Sequence, residues 1–217
     1  MIRAVFVDLD GTLFDRDTTV GQLLNGQYLA FSAELSSISR QDFVARVVSL
    51  DDHGYRDKKE VYANVCDELG LRPSLAERLT ADFWNRYHSD CRPFSGVIET
   101  LQELRGRGKA LGIITNGTNT IQGGTIDALA IRGLMDAILV SEAEGVQKPS
   151  SEIFQRAAAR VGIAPTECCH VGDHPEVDVE GAQAAGLLGV WKRTPYWVAP
   201  PGDVPTIDAL AEVLAYV

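Results

Sequence analysis

Two carboxylates one residue apart, Asp8 and Asp10, follow the apolar run Val5–Val7 and are succeeded at once by Gly11 and Thr12. Ending a hydrophobic strand in acids is costly unless donors or a cation receive them. Three further segments carry polar groups suited to the same task. They are Thr115, Asn116 and Gly117 in "ITNG", Lys148 before Pro149, and Gly172–Asp173 with Asp178 in "GDHPEVD". Clustered carboxylates repel one another until a cation neutralises them, and oxygen ligands in this number suit a hard octahedral ion, Mg²⁺ first. Such an ion keeps positions open for phosphate oxygen and water. The Thr115 hydroxyl, the Asn116 amide and the Lys148 ammonium would then serve as donors to a phosphoryl group. One free carboxylate beside the metal can attack phosphorus, and the second acid can protonate the leaving oxygen.

Each of these pieces also has an ordinary structural use. Asp-x-Asp-Gly and Thr-Asn-Gly both make turns, Lys-Pro is commonly a solvated lysine before a helix, and Gly-Asp caps helices. The first motif is not a Ca²⁺-binding helix-loop-helix, because its twelfth loop position is Thr19 rather than Glu. What favours function is coincidence: four polar segments in order, each at the end of an expected strand.

The elements that must position them are legible from patterning. Near-continuous apolar runs at Ile2–Val7, Ala110–Thr115, Ala137–Val140, Cys168–Val171 and Leu188–Trp191 predict strands buried on both faces. Helical segments alternate with them, which predicts an α/β fold, a Rossmann-like three-layer arrangement around a parallel sheet. Val97, Leu101 and Leu104 share one helix face. "SSEIFQRAAARVG" has Ser150 or Ser151 as cap and Gly162 as stop, and Ile207–Ala215 reads as a closing helix. In an open parallel sheet the ligand site forms at the carboxyl ends of the strands, where all four motifs fall.

One interval breaks the alternation. From Arg16 to Arg92 no strand is expected, and Val20, Leu23, Leu24, Phe31 and Leu35 recur at helical spacing, as do Val61, Tyr62, Val65 and Leu69. "PSLAE" offers a capping box of Ser74 with Glu77. The interval is too long for a crossover and is read as an inserted α-helical domain, residues 16–92, with 1–15 and 93–217 forming the core and "CRPFSG" the return linker.

Bulk properties narrow the partners. The 217 residues carry a formal net charge of −10, with 45% hydrophobic and 23% charged residues, which argues against nucleic acid or an anionic membrane surface as partner. No stretch is apolar enough to span a bilayer. Cys66, Cys91, Cys168 and Cys169 form no CxxC pair and are expected as reduced thiols, hence a cytoplasmic location. A phospho-accepting signalling receiver also holds Mg²⁺ beside an aspartate, but it places that aspartate on a middle strand and carries no helical insertion of this size. A phosphate-binding module without turnover is opposed by the intact acid pair, lysine and metal acid.

The constellation resembles the haloacid dehalogenase superfamily over the whole chain, through "DLDGT" (Asp8–Thr12), "ITNG", Lys148 and "GDHPEVD". The helical insertion between the first two motifs resembles the first cap subclass. "SEAEGVQKP" resembles the branch of small-molecule phosphatases that includes pyrimidine 5′-nucleotidases and N-acylneuraminate-9-phosphatase. The resemblance implies Asp8 as nucleophile and metal ligand, and Asp10 as general acid and then base with its backbone carbonyl on the metal. It implies Thr115, Asn116 (through its backbone N–H) and Lys148 on the phosphate, Asp173 on Mg²⁺, and Asp178 as an outer acid. Metal-independent dehalogenases of the superfamily lack the second acid of the first motif, which is Asp10 here, so a phosphatase is the expectation ahead of a haloacid dehalogenase or phosphomutase. A small phosphorylated substrate and a monomer or homodimer follow. Selectivity is expected from the insertion, with Arg46, His53, Tyr55, Arg56, Lys58 and Lys59 as candidates and Ser49–Asp57 as a substrate-facing loop.

Overall fold

The computed structural model describes residues 1–89 and 91–217. In chain order, β1 (Ala4–Val7) is followed by α1 (Arg16–Ala30), α2 (Arg40–Asp51), α3 (Lys58–Glu68) and α4 (Ser74–Arg86). Next come α5 (Val97–Gly106), β2 (Ala110–Thr115), α6 (Asn119–Ala128), β3 (Ala137–Val140) and α7 (Ser141–Glu144). The chain ends with α8 (Ser151–Val161), β4 (Cys168–Gly172), α9 (Gly181–Ala184), β5 (Leu188–Lys192) and β6 (Thr206–Ile207).

The strands form one parallel sheet in the order β3-β2-β1-β4-β5-β6. All four side chains of β1 are fully buried, as the apolar run requires when helices cover both faces. Ala4 and Phe6 point to the same face, where they pack with Ile114, Leu139, Ile153, Phe154 and Ala157. That face is covered by α8, which is capped at one end by Ser150, whose side chain accepts from Glu152 N, and stopped by left-handed Gly162. Full burial of Phe154 is worth about 2–3 kcal/mol of transfer free energy.

The strand order reverses at β1: β2 and β3 lie on one side of it, β4 to β6 on the other. The seam between β1 and β4 is therefore the switch point, and their carboxyl ends open the crevice where ligands bind in such sheets. Phe6 lies opposite His170 and Val7 opposite Val171 across this seam.

The chain divides into two compact units, Met1–Asp15 with Arg92–Val217, and Arg16–Cys91. At the boundary the outgoing and returning segments pair: Asp15 N donates to Arg92 O at 3.0 Å and Phe94 N to Leu13 O at 3.0 Å. The second unit is helical. Its core contains Leu24, Leu35, Phe43, Val47, Tyr62, Val65, Leu79 and Phe83, all fully buried. Within it the Tyr62 hydroxyl donates to Gln27 Oε1 at 2.6 Å, and Gln27 Nε2 donates to Leu79 O at 2.8 Å. Asp51 at the end of α2 holds a buried ion cluster, with Arg16 Nη2 at 2.7 Å and Lys58 Nζ also in contact. Lys58 was a candidate selectivity residue; at 3% exposure it belongs instead to this cluster. Burial pulls its pKa down, and Asp51 opposes that pull.

Three local expectations differ from what folds. Ser74 is not a cap, because Pro73 already has helical dihedrals and Ser74 falls inside the first turn of α4 with no side-chain capping bond before it. The segment Ile207–Ala215 is not one helix. Thr206 and Ile207 are captured by β5, with Arg193 N donating to Ile207 O at 2.9 Å, and only Leu210–Ala215 coils, as a 3₁₀ helix. Strand β1 is shorter than Ile2–Val7, while β4 and β5 run on to Gly172 and Lys192. Among the described residues no helix is long and apolar enough to cross a membrane.

Candidate active site

Asp8 is the first residue beyond β1. Its N–H donates to Val171 O at 2.8 Å, extending the seam by one residue and setting the carboxylate at the switch point. Asp8 Oδ1 accepts from Lys148 Nζ at 2.6 Å and Oδ2 from the Thr12 hydroxyl at 3.3 Å. Thr12 is brought back by a tight turn in which Leu9 O accepts from the N–H groups of Leu13 at 3.0 Å and Phe14 at 2.9 Å. Gly11 sits in that turn at φ +77, and a Cβ there would lie 2.6 Å from Asp173 Oδ2. Only glycine meets both conditions.

Lys148 also donates to Asp178 Oδ1 at 2.6 Å, so its ammonium bridges two buried carboxylates. The same Asp178 oxygen is 3.0 Å from His170 Nε2, and Asp178 Oδ2 accepts from His174 N at 3.1 Å. A carboxylate only accepts, so His170 carries its proton on Nε2. His170 is fully buried on β4 with its ring edge-on to Phe154 at 5.1 Å. Burial holds its pKa below the usual value, against the pull of Asp178. Burial would lift the Asp178 carboxyl, but Lys148 and His170 together hold it well below the ordinary range. Lys148 is pushed the other way: burial disfavours its charge, and the Asp178 and Asp8 carboxylates more than restore it.

Asp173, immediately after β4, is fastened through its backbone, since Trp191 Nε1 donates to Asp173 O at 2.7 Å. The Tyr196 hydroxyl reaches Asp173 Oδ2 at 3.4 Å. Ligand atoms of Asp8, Asp173 and Asp178 all lie within 4.8 Å of one another. Burial raises the Asp8 pKa to about 7; Lys148 opposes this, while Asp178 and Asp10 add to it. Burial, followed by repulsion from Asp8 and Asp178, pushes Asp173 well above the carboxylate range. Three carboxylates about one bridging ammonium leave an excess of negative charge that fits a hard divalent cation. Lys192 Nζ, 2.9 Å from Gly11 O and 3.9 Å from the centre of the Phe94 ring, braces the turn from β5.

Asp10 stands apart from the acid cluster. Its Oδ2 accepts from Gln122 Nε2 at 2.8 Å, and its Oδ1 is buried with no donor among the described residues. Thr115 ends β2, 1% exposed. Asn116 clamps the loop that carries the lysine: its Nδ2 donates to Lys148 O at 3.0 Å and its Oδ1 accepts from Lys148 N at 2.9 Å. The side-chain amide of Asn116 is thus committed to the backbone of Lys148.

The fold brings Asp8, Lys148, Asp173 and Asp178 into one network, with Asp10 beside it on Gln122 and Asn116 tied to Lys148. Asp178 is more deeply engaged than an outlying acid. His170, Gln122, Trp191 and Tyr196 are not legible as site residues from the sequence. The available signal was a lone histidine in an apolar strand and a glutamine in the first turn of the helix after "ITNG". His174, next to Asp173, accepts from Val177 N through Nδ1 at 3.2 Å and packs on Trp197, with ring centres 4.4 Å apart.

The parallel Rossmann-like sheet, with its acids at the switch point and an inserted helical unit, agrees with what comparison with known proteins shows. The chain belongs to the haloacid dehalogenase-like hydrolase family, whose model matches residues 2–186. It is 29% identical to Pyrimidine 5′-nucleotidase YjjG of Escherichia coli (strain K12), covering 93% of this chain and 91% of that one. It is 31% identical to Ribulose-1,5-bisphosphate 5-phosphatase of Halopiger xanaduensis, covering 86% and 83%. Among solved structures, a HAD phosphatase from Thermococcus onnurineus superposes with a TM-score of 0.70 at 26% identity, over 99% of this chain and 97% of that one.

Proposed function

We propose that this protein is a Mg²⁺-dependent phosphatase that hydrolyses a small-molecule phosphomonoester through an aspartyl-phosphate on Asp8. The observation that carries the reading is the division of labour between the two acids of one turn. Asp8 is held by Lys148 at 2.6 Å inside the acid cluster, whereas Asp10 is held by the neutral amide of Gln122 at 2.8 Å. Two carboxylates in different surroundings are what nucleophile and acid–base roles require. Phosphatases among the relatives support the same reading.

In the first half-reaction an Asp8 carboxylate oxygen attacks phosphorus. The bond from phosphorus to the ester oxygen breaks, and that oxygen takes the proton of Asp10 and leaves as the alcohol. In the second, Asp10 removes a proton from water as the water oxygen attacks phosphorus, the bond from phosphorus to Asp8 breaks, and inorganic phosphate leaves. Lys148 holds the attacking carboxylate in place and offsets charge on the phosphoryl oxygens, with Thr115 and the backbone N–H of Asn116 as further donors. Asp8 and Asp173, with the carbonyl of Asp10, would hold Mg²⁺, and Asp178 would keep Lys148 in position. Bound Mg²⁺ supplies Lewis-acid stabilisation of phosphoryl charge.

In this proposal residues 16–92 are the cap domain that sets selectivity, and residues 1–15 with 93–217 are the catalytic core. The partners are small phosphorylated molecules, and the chain works as a monomer or homodimer. Buried thiols at Cys66, Cys168 and Cys169 suit a reducing cytoplasm. The test is hydrolysis of p-nitrophenyl phosphate by purified protein with Mg²⁺ and with chelator, beside Asp8→Asn. Turnover that requires the metal and is lost in the variant is the expected result. Metal-independent turnover of a chloroalkanoic acid, with none of the phosphate ester, would replace the proposal by the dehalogenase reading.

A further inference from the structure

Gln122 lies in the first turn of α6, which begins after the Gly117 turn that closes β2 and is capped by the Thr118 side chain accepting from Ile121 N at 3.3 Å. It is 4% exposed, an unusual place for a long amide. Both hydrogens of its Nε2 are committed, one to Asp10 Oδ2 and one to Asn116 O, each at 2.8 Å. The backbone carbonyl of Asn116 can only accept, so the nitrogen must be the atom facing it and the amide has one orientation. Its Oε1 is buried with no donor among the described residues. A core-filling side chain would avoid that penalty, because an unmatched buried acceptor destabilises the fold. Gly117 makes the room: at φ +141 it brings the backbone so near that a Cβ would fall 2.9 Å from Gln122 Nε2.

We infer that Gln122 is a positioning residue for Asp10, locking Oδ2 as a permanent acceptor so that the mobile proton of the acid–base carboxyl is carried on Oδ1. This rests on the phosphatase reading above. The bond to Asn116 O ties this orientation to the same residue that clamps Lys148, so the acid–base group and the lysine that holds the nucleophile share one scaffold.

The role predicts which substrates suffer when Gln122 is changed. An ester with a good leaving group needs little protonation, while one with a poor leaving group depends on the acid. The experiment compares kcat/KM for p-nitrophenyl phosphate and phenyl phosphate in the wild type, Gln122→Met and Gln122→Asn, with inhibition by inorganic phosphate and thermal melting alongside. Both variants are expected to lose about tenfold or more on phenyl phosphate and about threefold or less on p-nitrophenyl phosphate, a fraction of the usual general-acid contribution, with phosphate inhibition unchanged. Gln122→Asn keeps an amide too short to span the gap, so it carries the test if the methionine variant does not fold. Equal losses on the two esters, or none on either, overturn the inference while leaving the phosphatase reading standing. A wild-type protein that hydrolyses neither ester overturns both.

Discussion

Lys148 Nζ sits 2.6 Å from Asp8 Oδ1, an ammonium and a carboxylate brought together from positions 140 apart in the chain. Its second contact, 2.6 Å to Asp178, makes this lysine the charge on which the acid cluster depends. Lys148→Met would leave Asp8 and Asp178 buried with their shared cation gone. Removing one partner of a buried ion pair typically costs about 3–5 kcal/mol. The expected outcome is a lower urea midpoint and a fall in turnover of about a hundredfold or more, measured on p-nitrophenyl phosphate.

Asp173 answers to the opposite logic. In metal-free protein its charge is disfavoured by burial and by repulsion from Asp8 and Asp178. Asp173→Asn should raise the melting temperature measured in chelator. The rise in melting temperature on adding Mg²⁺ should disappear in the same variant, because the proposal makes Asp173 a metal ligand. A variant that kept the full Mg²⁺ response would remove Asp173 from the metal set.

The pH dependence of metal-free stability has a definite sign. Asp8 in the folded chain holds its proton up to about 7, against 3.8 for the free side chain. Between those values the folded state binds more protons than the unfolded one. The stability Asp8 contributes is therefore complete below 3.8 and lost as pH rises through about 7, at up to about 1.4 kcal/mol per pH unit. Asp178 has the opposite sign, but its lowered pKa confines its change to more acid solution. Asp173, also raised by burial and by Asp8 and Asp178, adds a decline of the same sign. Urea unfolding in chelator at a series of pH values, beside Asp8→Asn, checks this: the variant should show a shallower decline than the wild type across this window.

The helical unit has its own electrostatic keystone. Asp51 is 2% exposed and contacts both Arg16 and Lys58. Asp51→Asn would remove the carboxylate that two buried cations share and is expected to cost about 3–5 kcal/mol in chemical unfolding, with the melting of residues 16–91 displaced most. Hydrogen exchange resolved by segment would show whether the loss is confined to that unit.

Much of this architecture is decided by local chemistry that a linear reading recovers. Strands buried on both faces must be apolar throughout, so an acid that ends such a run marks a strand terminus, as Asp8 does after β1 and Asp173 after β4. Parallel sheets gather those termini at one edge, which is why Asp8 and Asp173 are legible as a pair from the sequence. Which side chains touch is a different matter. Lys148 meets Asp8 and Asp178 from 140 and 30 positions away in the chain, and β4 pairs with β1 in the register that sets His170 opposite Phe6. Gln122 meets Asp10 from 112 positions away in the chain, beside Gly117, where a Cβ would fall 2.9 Å from its Nε2. The same holds at the end of the chain, where Ile207 has helical neighbours in sequence but is drawn into the sheet by the open edge of β5. Strand ends and apolar faces depend on a residue and its near neighbours, so the sequence by itself determined them. Hydrogen-bond partners and shared charges depend on strand order and register, which only the tertiary structure decided.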